Sequence, residues 1–182
     1  MNKTKKLTLS AALSALIVVI LLLGSLVEIL DLTTIFLAGL FLVFSVIELE
    51  GNWKWMIYAV SSILAILLLP NKFVAVEYTL LGVTVILKSY FERLPSILSW
   101  VLKFLSFNIL FGVVIALFYL VLGMPYQNEM IFGVTLPAYL IPAVLLFLGN
   151  LCFLLYDVLL TRLISVYYYK YRSRVRRWLR LS

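Results

Sequence analysis

The segment 136–168 most constrains the fold, because it is almost entirely apolar and longer than the roughly 20 residues with which a helix crosses a bilayer. A tyrosine-rich stretch, Tyr167–Tyr171, follows it and leads into five arginines between Arg172 and Arg180. Tyrosine is enriched at the level of the lipid headgroups, and Lys and Arg close to a span stay on the cytoplasmic side. The sequence therefore predicts a last transmembrane helix at 136–168 and a basic cytoplasmic tail at 169–182.

Composition supports a membrane protein. The chain is 65% hydrophobic, and only 13% of its 182 residues are charged, about half of the usual share in soluble domains. Residues 1–182 are therefore predicted to form a single all-α, integral-membrane domain in the cell membrane. The basic tail alone would also suit a nucleic-acid-binding helix, but the long apolar span before it argues against a nucleic-acid partner.

Six apolar segments are separated by polar turns, which predicts a polytopic, compact bundle of six transmembrane helices. Of the 15 Lys and Arg residues, only Lys72 falls in an outer loop of this arrangement. Trp53, Trp55, Trp100 and Trp178 all fall at the inner boundary. Both termini are therefore predicted to be cytoplasmic. The predicted spans are 7–27, 35–47, 53–69, 73–90, 97–122 and 136–168.

The sequence favours a non-enzymatic role without a metal site or a cofactor. It has no histidine, one cysteine (Cys152) and none of the common nucleophile, phosphate-binding or zinc-binding motifs. The only close pair of acids, Glu48 and Glu50, falls in a turn at the inner surface. We interpret these two side chains as solvated, and no catalytic residue is predicted.

Charged residues within the spans should face the interior of the bundle, because an unpaired charge in lipid is costly. Lys103 and Asp157 lie at similar predicted depths near the inner side, so we expect a structural ion pair that joins the fifth and sixth helices. Polar side chains form one stripe on each of three helices. These stripes are Glu77, Thr84 and Lys88; Ser99, Lys103 and Ser106; and Asn150, Asp157 and Thr161.

The predicted outer side carries more acids than bases. Glu28, Asp31, Glu77 and Glu129 stand against Lys72, which favours a neutral or cationic small molecule over an anion. Aromatic residues of the same region suit stacking on a flat ring, although aromatics gather at any membrane interface. These residues are Phe73, Tyr78, Tyr126 and Phe132.

The layout resembles the substrate-binding S component of an energy-coupling factor (ECF) vitamin transporter. The features that carry the resemblance are six helices in a chain of this size and a first helix that opens with Lys5-Lys6 and then Ala11-x-x-x-Ala15. The resemblance implies that Ala11 and Ala15 pack against a transmembrane T component. It also implies ATPase partners and an outward-facing pocket that the outer loops close, with Glu28–Thr34 as part of the gate.

These considerations give a set of candidate substrate-binding residues: Glu28, Asp31, Thr34, Glu77, Tyr78 and Glu129. The expected function is a membrane-embedded solute-binding subunit of an ECF-type importer for a small vitamin-like molecule. A non-transporting membrane scaffold or regulatory interaction protein is the alternative. A lipid-directed enzyme that uses Lys103 and Asp157 is a third reading, which the lack of catalytic motifs disfavours.

Overall fold

A computed structural model describes residues 3–27, 31–49, 51–120, 129–131 and 134–178. The described chain is helical except for a short antiparallel hairpin, in which β1 (Glu129–Ile131) pairs with β2 (Val134–Leu136). The helices are α1 (Lys3–Ser25), α2 (Asp31–Glu48), α3 (Trp53–Leu68), α4 (Lys72–Phe91), α5 (Ser96–Leu120), α6 (Ile141–Val166) and α7 (Arg172–Trp178). A π-helical turn, Tyr167–Tyr171, connects α6 to α7.

The chain reverses at residues that favour helix ends. Pro70 follows α3 and cannot continue it, because proline has no backbone N–H and crowds the preceding turn. Asn71 then begins the next helix: its side-chain oxygen accepts a hydrogen bond of 3.0 Å from the backbone N–H of Phe73. At the other end of α3, Gly51 has φ +80°, a conformation that glycine adopts without strain.

Several helix limits differ from the predicted spans. Helix α1 begins at Lys3, so its lysines belong to the first turns of the helix. The second helix, predicted to be short, includes Asp31–Thr34 and reaches Glu48. The sixth begins at Ile141, because residues 134–136 pair as a strand. The tail continues as helix through the tyrosines to Trp178.

Five helices in the described residues are long and apolar enough to cross a membrane. They are α1, α2, α4, α5 and the continuous helix Ala138–Arg177. Helix α3 is also apolar but has only 16 residues, or about 24 Å at 1.5 Å per residue. These helices are consistent with a multi-pass membrane protein, as the sequence predicts.

Consecutive helices run in opposite directions, so charged side chains from all of them meet at one end of the bundle. This end, called the basic end below, contains the start of α1, the end of α2 and the end of α6. Arg172 binds Glu48 there, and Lys54 at the start of α3 binds Ser89 at the end of α4. The end of α1, the start of α2 and the turn 69–71 lie at the opposite end, where Gly24 contacts Thr34 and Asp31 binds Asn71.

The packed core lies between α1, α2, α3 and α4, and α5 packs mainly on α4. Helix α6 packs mainly on α5 and contacts α2 only lightly. In the apolar windows of α5 and α6, 17% and 11% of the residues are buried, against 39–44% for α1, α2 and α4. Helix α6 is therefore the least enclosed of the long helices.

Candidate functional site

Two lysines and two acids connect α4, α5 and α6 near the basic end. The Lys88 ammonium contacts the Asp157 carboxylate and lies 2.9 Å from Glu92. The Lys103 ammonium lies 3.2 Å from the other oxygen of Asp157 and 3.3 Å from Glu92. Lys88 also donates to the Thr161 hydroxyl at 2.9 Å. We call Lys88, Glu92, Lys103 and Asp157 the charged cluster.

The charged cluster is closed and balanced, because two positive groups face two negative ones. The side chains of Lys88, Lys103 and Asp157 are buried, whereas Glu92 is 39% exposed and borders the surface. The sequence placed Lys103 beside Asp157 but did not pair Lys88 with it. The sequence did place Lys88 on a polar face of the fourth helix, together with Glu77. Its depth in the predicted span could have suggested the contact with Asp157.

A cavity of about 100 Å³ lies between α2, α4, α5 and α6, next to the charged cluster. We call it the aromatic cavity, because its walls include Phe36, Phe107, Phe111, Phe153 and Tyr156. Thr84, Val85, Phe153 and Tyr156 border both the aromatic cavity and the small space around Lys88, Lys103 and Asp157. The ion pairs therefore close the side of the cavity that faces the basic end.

The rings of the cavity form two ordered groups. Phe36 and Tyr156 are stacked with centroids 4.5 Å apart, and Phe107 and Phe153 are stacked at 4.4 Å. The Tyr156 hydroxyl donates to the Phe36 carbonyl at 3.1 Å, and the Thr84 hydroxyl donates to the Leu81 carbonyl at 2.6 Å. The wall therefore offers ring faces and few polar atoms, which suits a flat and mainly apolar group.

Two glycines allow these rings to lie close to helix backbones. A Cβ atom at Gly39 would lie 2.1 Å from the Tyr156 hydroxyl, and one at Gly149 would lie 2.5 Å from the Phe111 ring. Real Cβ atoms do not approach so closely, so any larger residue would displace a ring from the cavity wall. The sequence analysis did not identify these glycines or Phe36, Phe107 and Tyr156.

The candidate substrate-binding residues near the start of α2 make contacts within the bundle. The Asp31 carboxylate accepts a hydrogen bond of 3.1 Å from the Asn71 amide at the start of α4. The Thr34 hydroxyl donates to the Asp31 carbonyl at 2.8 Å, and its side chain packs on Gly24 of α1. Glu28 lies outside the described residues.

Glu77 and Tyr78 lie near the opposite end on α4, but on different surfaces. Tyr78 is fully buried between α3 and α4, where its hydroxyl lies 2.7 Å from that of Ser61. Glu77 is partly buried and close enough to Asp31 for electrostatic interaction. Glu129 lies in β1. Of the candidate residues whose side chains the structure describes, Asp31, Thr34, Glu77 and Tyr78, none lines the aromatic cavity.

Ala11 and Ala15 lie on the exposed face of α1. Leu13, Ile17 and Leu21 of the same helix point into the core, so the two alanines are directed away from the bundle. An exposed pair of alanines one turn apart leaves a shallow surface on which another helix can approach closely within lipid.

The interpretation of Glu48 as a solvated loop residue was wrong. Glu48 is the last residue of α2, and its side chain is fully buried. Its two carboxylate oxygens lie 3.1 Å from Arg172 and 3.0 Å from Arg176, and Tyr167 donates to it at 3.1 Å. The helical tail continues α6 past the end of α2, and its arginines and Tyr167 cover this carboxylate. Glu50 lies outside the described residues.

Within the described part of the chain, no group of three or more Asp, Glu or Cys side chains is arranged to hold a metal ion. None of the protein-family models, curated proteins or solved structures compared with the chain matches it.

Proposed function

We propose that the protein is a membrane-embedded, solute-binding subunit of an ECF-type importer, with both termini in the cytoplasm. The observation that carries the proposal is the aromatic cavity, which stacked rings line and the charged cluster closes at the basic end. With the basic end on the cytoplasmic side, the closed side of the cavity faces the cytoplasm. A solute would then enter from the opposite side.

The wall of the aromatic cavity indicates the chemistry of the solute. Ring faces carry partial negative charge and attract neutral rings or delocalised cations. The hydroxyl groups of Thr84 and Tyr156 already donate their protons to backbone carbonyls. Their oxygens can each accept a hydrogen bond from a solute. The proposed solute is a small, flat, neutral or cationic ring compound with one or two polar substituents.

The volume of the aromatic cavity limits the size of the solute that it can hold. A volume of about 100 Å³ holds only a small ring. A vitamin-sized solute therefore requires α6 to move away from α2, which their light contact permits. The proposed binding step is an outward movement of α6 that widens the space between Phe36 and Tyr156.

The exposed face of α1 is the proposed docking surface for a transmembrane partner. The chain carries no nucleotide-binding motif, so import would require ATPase partners in addition to the T component. Ala11 and Ala15 are the residues through which the T component would contact α1. This assignment makes the two alanines dispensable for folding and required for assembly.

The experiment is purification in a mild detergent with mass spectrometry of the proteins and small molecules that elute with the chain. We expect a transmembrane subunit, two ATPases and a ring-bearing solute. Ala11→Trp should remove the protein partners, whereas Ala116→Trp, at an exposed alanine on α5, should retain them. Intact complexes with Ala11→Trp would exclude α1 as the docking surface.

A separate experiment tests on which side of the membrane the tail lies. In a Cys152→Ser background, Ser173→Cys places a single thiol on the exposed side of α7. A membrane-impermeant maleimide should label it only after intact cells are opened. Labelling in intact cells would reverse the proposed orientation and place the closed side of the cavity outside.

A membrane scaffold is the second candidate, and the polar contacts between helices favour it. Several polar residues of the stripes bond between helices, as in the charged cluster and in the pair that Asn150 forms with Asn108. This arrangement suits a rigid bundle whose outer faces bind other proteins. A stable partner without ATPases and without a solute would support the scaffold and overturn the importer.

A further inference from the structure

A second concave surface lies outside the bundle, between α2 and the end of α6. It has a volume of about 480 Å³ and an almost wholly apolar wall. The wall includes Leu37, Phe44 and Ile47 on one side and Leu160, Val166 and Tyr171 on the other. We call it the lateral groove. It lies where α6 contacts α2 only lightly, between the Phe36–Tyr156 contact and the contacts of the tail with Glu48.

The length of the lateral groove matches one leaflet of a bilayer. Its α2 wall runs from Leu37 to Ile47, which is about 15 Å at 1.5 Å per residue. The hydrocarbon core of a bilayer is about 30 Å thick, so one leaflet contributes about 15 Å. The groove is therefore as long as the acyl region of one leaflet is thick, and one of its ends lies at the basic end of the bundle.

The basic end of the groove carries excess positive charge. Tyr167 and Tyr171 belong to the groove wall, and Tyr167 shares Glu48 with Arg172. Two arginines, Arg172 and Arg176, face the single Glu48 carboxylate, which leaves one positive charge in excess.

Three further cations lie on the same π-helical turn and on α7. Lys170, Arg174 and Arg177 are exposed and form no ion pair within the described part of the chain. A negatively charged group at the basic end of the groove would meet Arg172 and Arg176 directly. Lys170, Arg174 and Arg177, on the opposite side of the same helix, add to the positive potential there.

We propose that the lateral groove is a binding site for an anionic phospholipid. One acyl chain lies along α2 between Leu37 and Ile47. The phosphate lies at the basic end and accepts hydrogen bonds from the guanidinium groups of Arg172 and Arg176, whose Nε atoms bind Glu48. Guanidinium groups bind phosphate through two parallel hydrogen bonds, which gives the headgroup a defined position. The lipid also bridges α2 and the tail, and so supports the Glu48 contacts.

The test measures the thermal stability of the full chain in a neutral detergent with added phosphatidylglycerol or with phosphatidylcholine of the same acyl chains. At about a hundredfold excess over Kd, we expect phosphatidylglycerol to raise the Tm by at least about 5 °C. Phosphatidylcholine should raise it much less, and high salt should reduce the difference. Equal effects of the two lipids would overturn the anionic headgroup.

Two matched substitutions on α6 locate the site. Val166→Trp fills the lateral groove, whereas Val158→Trp places the same ring at an exposed position outside it. Only Val166→Trp should lose the response to phosphatidylglycerol. A response that both variants retain would overturn the groove as the site. Arg176→Gln should reduce the preference for phosphatidylglycerol, whereas Arg93→Gln, at the α4–α5 turn, should keep it.

Lipid analysis of the purified chain gives an independent measurement if a variant does not fold. Mass spectrometry of the unaltered protein should show phosphatidylglycerol or another anionic phospholipid retained through detergent exchange. Retention of phosphatidylcholine alone, or a stable dimer by light scattering that Val166→Trp dissociates, would overturn the proposal. The dimer would show that a second copy of the chain occupies the groove.

Discussion

The Lys88 ammonium on α4 contacts the Asp157 carboxylate on α6, although the two residues are 69 positions apart in the chain. The same carboxylate binds Lys103 of α5 with its second oxygen. Asp157 is therefore the point at which three helices meet. It is also the only acid of the charged cluster whose side chain is buried, since Glu92 is partly exposed.

Asp157→Asn should destabilise the fold strongly, because it leaves two buried ammonium groups with only Glu92 as a counter-charge. Breaking a buried pair by removing one partner costs about 3–5 kcal/mol. Unfolding in mixed micelles of SDS and neutral detergent measures the loss. Glu92→Gln is the control: its side chain is 39% exposed and borders the surface, so the loss should be clearly smaller than for Asp157→Asn. Equal losses for the two variants would contradict the central role of Asp157.

Hydrophobicity and charge predicted the helices of this chain well, but not the contacts of particular residues. An apolar segment of about 20 residues forces its backbone into a helix, so six helical segments can be recognised without knowledge of their neighbours. The Lys103–Asp157 contact was accessible for a similar reason: depth in a membrane can be read from sequence position, and opposite charges at one depth attract.

Features that depend on the relative rotation of helices were not predictable. The aromatic cavity requires Phe36, Phe107 and Tyr156 to face one another from three helices, and no spacing within one helix determines that. The burial of Glu48 depends on a tail that continues as helix through the tyrosines and so reaches the end of α2. The polar turn that follows the second span was interpreted as solvated, because the sequence does not show which segment covers Glu48.

Glu48→Gln should release the tail from α2. The neutral amide can no longer form ion pairs with Arg172 and Arg176, each of which is a charge-assisted contact worth about 1.5–3 kcal/mol. Each loss of about 1.4 kcal/mol raises the population of the open state about tenfold. Limited digestion with trypsin should therefore cleave at Arg172–Arg177 at least about ten times faster, because cleavage follows the open population when reclosing is fast.

The control for the tail is Glu92→Gln, which removes an acid at the basic end without a contact to α7. It should leave the rate of tail cleavage unchanged. Equal cleavage of the unaltered chain and of Glu48→Gln would show that Glu48 does not hold the tail.

Asn108 and Asn150 should contribute to the contact between α5 and α6 as a pair. Each amide donates to the other's oxygen at 2.8 Å, and each also donates to a carbonyl one turn earlier in its own helix. Hydrogen bonds between helices in membranes are worth about 0.6 kcal/mol on average and about 1.7 at most. A double-mutant cycle with Asn108→Leu and Asn150→Leu should give a coupling energy within this range. Strictly additive losses would indicate that the two amides act independently.

Gly39→Ala should destabilise the bundle and close the aromatic cavity, whereas Gly112→Ala should not. The new Cβ at position 39 would lie 2.1 Å from the Tyr156 hydroxyl, which is fixed by its bond to the Phe36 carbonyl and by stacking on the Phe36 ring. Tyr156 must therefore shift, which disturbs both contacts, and overpacking of this kind costs about 1–3 kcal/mol. At position 112 of α5 no atom lies within 4 Å of the new Cβ, so alanine should stabilise the helix slightly. Thermal unfolding in detergent and the amount of co-purified solute measure the two effects. A Tm that falls equally in both variants, or a solute retained by Gly39→Ala, would contradict the assignment of this cavity as the binding site.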